Sequence, residues 1–78
     1  MKPVVTEKAI MMIESQNVLT FETEKNKTKS EIKKNVESLF NVKIHEIRTI
    51  IKGNKKYAYI KLKKEFPAIN VATKLGVM

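Results

Sequence analysis

Lysine is the residue type best placed to do chemistry in this chain, and its distribution is uneven. Between positions 25 and 34 stand Lys25, Lys27, Lys29, Lys33 and Lys34 against one acid, Glu31. Between positions 52 and 64 stand Lys52, Lys55, Lys56, Lys61, Lys63 and Lys64 against none. The first 24 residues, by contrast, carry two lysines and four glutamates. An ammonium group binds phosphate as a point charge, and several on one surface release the counterions condensed on a polyanion. With 16 basic and 8 acidic residues and a formal charge of +8, polyanions are the expected partners. Any one lysine is as readily a solvated surface residue, but segregation of this kind is a poor way to gain solubility and points to nucleic acid.

Other chemistries lack their parts. His45 is the only histidine, and the chain has no cysteine and no aspartate, so neither a metal site nor a nucleophile-base-acid triad can be assembled. His45 reads as an ordinary strand residue. Two glycines cannot build a phosphate-cradling loop of the P-loop or dinucleotide type. A chain of 78 residues also leaves little core in which to sink a deep catalytic pocket. The expectation is a protein that is not an enzyme and takes no cofactor, metal or small-molecule substrate. The longest uninterrupted apolar run, Ala9 to Ile13, has five residues, against the roughly 20 that a membrane span needs. Glu7 and Glu14 bracket it, which does not suit a cleavable signal. A cytoplasmic protein without a membrane span is the simplest expectation.

Two local devices must hold the lysines in place. Thr28 followed by Glu31 is a capping box, so a helix starts there, and Ile32, Val36, Leu39 and Phe40 form its apolar stripe. Asn41, tolerant of the left-handed conformation, ends it. Gly53-Asn54, set between Ile51-Lys52 and Lys55-Lys56, signals a tight hairpin. Its incoming strand, Val42 to Ile51, does not alternate cleanly, which requires either a bulge near His45 or cover on both faces. Its outgoing strand, about Lys56 to Lys64, puts Ala58, Ile60 and Leu62 on one side and Tyr57, Tyr59, Lys61 and Lys63 on the other. Those tyrosines either stack on bases, as aromatics do on RNA-binding sheets, or pack their apolar bulk beneath a helix, and the second reading is the plainer.

The remaining elements follow from the same signals. Lys2 to Val5 is extended, Thr6 caps a helix with Glu7 in its first turn, and Asn17 stops it. Val18 to Glu24 then alternates as a strand, and Lys25-Asn26-Lys27 is a polar turn. Pro67 opens a last short helix with Ala68, Val71, Ala72 and Leu75 on its apolar face, and Gly76 ends it. With no repeat or flexible linker, residues 1–78 read as one domain. The fold class is α+β: a small antiparallel sheet of three to four strands with helices packed on it, in the order β-α-β-α-β-β-α.

Four stretches in order resemble ribosomal protein 23 of the large subunit. They are Pro3 to Ala9, Lys27 to Lys33, Val36 with Leu39 to Val42, and Ile51 to Gly53 with Lys55 to Leu62. The ending, Val71 to Met78, is similar to the archaeal branch of that family. Bacterial members extend the hairpin into the polypeptide tunnel, whereas Gly53-Asn54 closes it at once, as in the short archaeal-type form. The resemblance implies a structural, cytoplasmic ribosomal protein that binds large-subunit ribosomal RNA near the tunnel exit. It implies ribosomal protein 29 of the large subunit as a neighbour, and the signal recognition particle and translocation channel as transient partners. Glu7 matches a family position associated with such docking; its plainer role is a carboxylate favourable to the helix dipole. The RNA-binding residues expected are Lys8, Lys25, Lys27, Thr28, Lys29, Lys33, Lys34, Lys52, Lys55 and Lys56. The alternative is a free-standing basic module that binds nucleic acid or a membrane surface.

Overall fold

The computed structural model describes residues 2–76; Met1, Val77 and Met78, the last two closing the archaeal-like ending, lie outside the described residues. Seven elements follow one another in the expected order: β1 (Lys2–Pro3), α1 (Glu7–Gln16), β2 (Val18–Thr23), α2 (Lys29–Phe40), β3 (Ile44–Lys52), β4 (Lys55–Leu62) and α3 (Ala68–Lys74). The four strands form one sheet in the order β1-β2-β4-β3, every neighbouring pair antiparallel.

The helix ends are set by side chains adjacent in sequence. The Ala9 amide donates to Thr6 Oγ1 at 3.1 Å, and the Glu31 amide donates to Thr28 Oγ1 at 3.2 Å while the Thr28 amide donates back to Glu31 Oε1 at 3.4 Å. Asn17 and Asn41 stop α1 and α2 in the left-handed region, at φ 58° and 55°. Gly53, at φ +60°, takes the first central position of the two-residue turn between β3 and β4, the position a type II′ hairpin reserves for glycine. Pro67 stands one position ahead of expectation, as the N-cap of α3 rather than its first helical residue.

Register explains the irregular third strand. The pairing shifts between Ile44 and Glu46, so His45 is the extra residue of a β-bulge. The shift lets Ile44 and Ile47, three apart, face the same side, opposite Leu62 and Ile60. Beyond it Ile50 faces the other side, opposite Tyr57. The bulge therefore accounts for the broken alternation, and Ile50 on the second face is only half-buried.

One face of the sheet carries Leu19, Phe21, Ala58, Ile60 and Leu62, all no more than 2% exposed, and α2 and α3 pack on it through Ile32, Val36, Ala68, Val71 and Ala72. Burying such side chains is worth roughly 1.5–3 kcal/mol for each large one. Phe40 stacks on Phe21 with ring centroids 6.4 Å apart. Leu39 departs from the expected stripe, at 70% exposure. The buried side of α2 is centred on Ile32, Val36 and Phe40, and it reaches round to Glu37, whose Oε2 accepts the Ile44 amide at 3.1 Å. Leu39 falls beyond the opposite border of that surface.

The other face is covered only along β2. There α1 runs alongside, with Val18 and Thr20 buried, while Tyr57, Tyr59 and Ile50 are half-buried and Arg48 and Lys61 exposed. Ile13 of α1 reaches the core, and Lys8, Met12 and Gln16 border the less covered face.

Candidate nucleic-acid interface

The hairpin and the loop entering α2 meet at one end of the sheet. Antiparallel pairing brings the last residue of β2, Thr23, opposite Lys56, next to the turn, and the chain then runs through Lys25-Asn26-Lys27 into α2. Lys56 Nζ donates to the Lys27 carbonyl at 2.6 Å, a charge-assisted bond that straps the loop to the hairpin. Lys25, Lys27 and Lys29 thus lie at the end of the sheet that Lys56 reaches, and the second turn of α2 continues the series with Lys33 and Lys34, whereas Lys52 and Lys55 alternate onto the opposite face, with Tyr57 and Glu22.

These lysines are not equivalent. Lys25, Lys29, Lys33, Lys34 and Lys52 are exposed, with no ion pair among the described residues. Lys27 Nζ lies 3.9 Å from Glu31 Oε2, and Lys55 Nζ lies 3.3 Å from Glu22 Oε1. Surface pairs of this kind contribute about 0–1 kcal/mol and exchange readily for a phosphate. Half-buried Lys56 is committed to the strap. Thr28 spends its hydroxyl on the capping box, where it sets the direction in which α2 carries its lysines.

The sequence cluster from Lys52 to Lys64 does not stay together. Lys63 and Lys64 follow β4 at its far end, where Asn17 organises the junction with α3. Asn17 Nδ2 donates to the carbonyls of Leu62, Lys63 and Phe66 at 3.1, 3.3 and 3.2 Å, and its Oδ1 accepts the Ala68 amide at 2.6 Å. Lys8 is elsewhere again. It lines a cleft of about 470 Å³ between α1 and the less covered sheet face, with Met12, Tyr59, Arg48 and Lys61, and a contiguous one of about 260 Å³ with Tyr57, Tyr59 and Lys52. Arg48 and Lys61 were outside the expected set. Alternation along β4 already put Lys61 beside Tyr59, but placing Arg48 there needed the register that the His45 bulge fixes.

Glu7 is exposed in the first turn of α1, one helical turn before Met11, itself 60% exposed. The two border a shallow groove with Ser15 and Met12 along the outer side of the helix. Among the described residues, no group of three His, Cys, Asp or Glu side chains is placed to hold a metal ion, and no helix is long and apolar enough to cross a membrane.

Against models of known protein families, residues 1–73 match the one described as ribosomal protein L23.

Proposed function

The chain belongs to the ribosomal protein L23 family, and from that premise we propose that the hairpin end of its sheet binds large-subunit ribosomal RNA near the exit of the polypeptide tunnel. Membership makes it a structural constituent of the large subunit, at work in translation on cytoplasmic ribosomes, in a family that is structural rather than enzymatic. It also sets aside the free-standing basic module.

The observation that carries the proposal is the 2.6 Å bond from Lys56 Nζ to the Lys27 carbonyl. It fastens the loop that carries Lys25, Lys27 and Lys29 to the hairpin end of the sheet, which supports a cationic end that wraps both faces. Lys25, Lys29, Lys33, Lys34 and Lys52 engage backbone phosphates there, with Lys27 and Lys55 released to them from Glu31 and Glu22, and binding is driven by counterion release. Lys8 joins from the α1 side through the cleft it shares with Lys52. Replacing Lys25, Lys29 and Lys33 with glutamate abolishes incorporation into the large subunit while circular dichroism and thermal unfolding stay those of the parent. Retained incorporation would show that another surface makes the contact.

Glu7 and Met11 form the second surface. A carboxylate beside an exposed thioether on the outer side of α1 suits transient docking by factors that meet the nascent chain, the signal recognition particle and the translocation channel, with ribosomal protein 29 of the large subunit as neighbour. Glu7→Ala is expected to weaken binding of signal recognition particle to assembled subunits without changing incorporation; unchanged binding refutes the docking role.

A further inference from the structure

We propose that the cleft between α1 and the less covered sheet face holds an unpaired stretch of RNA, a base stacked on Tyr59 or Tyr57 and the flanking phosphates held by Lys8, Arg48 and Lys61 towards one end and by Lys52 towards the other. The inference rests on the reading of the chain as an RNA-binding protein and adds to it a site on a different face from the lysines of α2.

The solvent side of an antiparallel sheet is ordinarily polar. Here the strand that buries Ala58, Ile60 and Leu62 on one side presents Tyr57 and Tyr59 on the other, both half-buried, with Ile50 opposite Tyr57 and Arg48 opposite Tyr59. The floor is aromatic and apolar, and the rim is cationic. Lys8 comes from α1, Arg48 and Lys52 from β3 and Lys61 from β4. The acid lining these clefts is Glu46, and its contact with Arg48 is loose, 3.9 Å between side chains 52% and 78% exposed. Arg48 is the chain's single arginine, the basic side chain whose planar group stacks on bases as well as pairing with phosphate.

A π-face bordered by cations fits a base and its phosphate. Every base has such a face, so stacking on tyrosine tolerates any sequence. An acidic or apolar protein segment would satisfy the rim or the floor but not both. Continuity with the phosphate-binding end supports the same occupant. Lys52 lies both beside the hairpin turn and in the wall of the smaller cleft, so a strand leaving the hairpin end passes directly between α1 and the sheet.

The test uses the full chain bound to large-subunit ribosomal RNA transcribed with 4-thiouridine, irradiated and digested, with crosslinked peptides identified by mass spectrometry. The proposal expects a crosslink on Tyr57 or Tyr59. Crosslinks confined to residues 25–34 and 52–56 would overturn the stacking site and leave RNA binding intact, whereas absence of any binding would refute the RNA reading itself. In parallel, Tyr59→Phe is expected to keep the parent affinity, and Tyr59→Leu to lose about 5- to 160-fold, the range that one stacked base commands. Equal affinity for both variants would mean that something other than a base covers the cleft. If Tyr59→Leu does not fold, the crosslink decides alone.

Discussion

The two ends of β4 carry lysine pairs of the same sequence character, and the fold gives them different work. At the hairpin end Lys55 and Lys56 stand beside the loop that leads into α2, and the Lys56 ammonium reaches 2.6 Å to the Lys27 carbonyl. At the far end Lys63 and Lys64 flank a junction held by Asn17, whose amide serves three carbonyls and one amide proton. Over the eight residues of β4, at about 3.3 Å per residue, the two pairs are separated by roughly 25 Å, more than two Debye lengths at physiological salt. They are therefore electrostatically independent. A cationic surface is made by what the topology brings alongside: the far end receives Lys43, whose carbonyl accepts the Lys63 amide at 3.2 Å, and the hairpin end receives the loop that carries Lys25, Lys27 and Lys29.

Substitutions at the two ends break this comparison in different currencies. The largest loss of stability is expected at the far end. Asn17→Ala removes the side-chain bonds and leaves a β-carbon at φ 58°, together about 2–4 kcal/mol in urea unfolding, while the folded fraction binds RNA as the parent does. Asn17→Gly, free of the backbone cost, should lose less. Lys56→Met at the hairpin end costs about 1 kcal/mol for the charge-assisted bond, yet lowers RNA affinity roughly tenfold, because the freed loop no longer presents its lysines together. Lys64→Met, a loss of equal charge, should leave both quantities within twofold. Thr28→Ala removes the cap of α2 and costs about 1 kcal/mol, with Thr28→Ser retaining most of it. If Lys56→Met and Lys64→Met behave alike, the strap has no bearing on binding.

How much of this was legible in the sequence depended on the range of the interaction that fixes each feature. Thr6, Thr28 and Glu31 bond to amides or side chains three residues away, and Asn17, Asn41 and Gly53 act through their own backbone angles, so helix ends and hairpin could be read directly. The partners of the Asn17 side chain lie 45 to 51 residues on, and no local pattern announces them. Leu39 has the spacing of a core residue, but which edge of the α2 stripe is covered depends on where the sheet lies beneath it. Lys52 to Lys64 read as one cluster because sequence distance hides the length of a strand. That Lys25 to Lys29 and the hairpin lie at the same end of the sheet follows from the pairing of Thr23 with Lys56, a long-range register that no local pattern announces. Cover over Tyr57 and Tyr59 was only half anticipated, since α1 shields the β2 side of their face and leaves the β3 side accessible.

Salt dependence of RNA binding tests the central claim most directly. Titration of the full chain with large-subunit ribosomal RNA across potassium chloride should give a log-log slope of about −5.6 to −7.2 for eight lysines each engaging one phosphate. Lys25→Ala with Lys29→Ala should flatten that slope by about 1.4–1.8, at 0.7–0.9 for each phosphate released, while Lys63→Ala with Lys64→Ala leaves it unchanged. A slope near zero for the parent, or one flattened equally by both pairs, would contradict the assignment of RNA binding to the hairpin end.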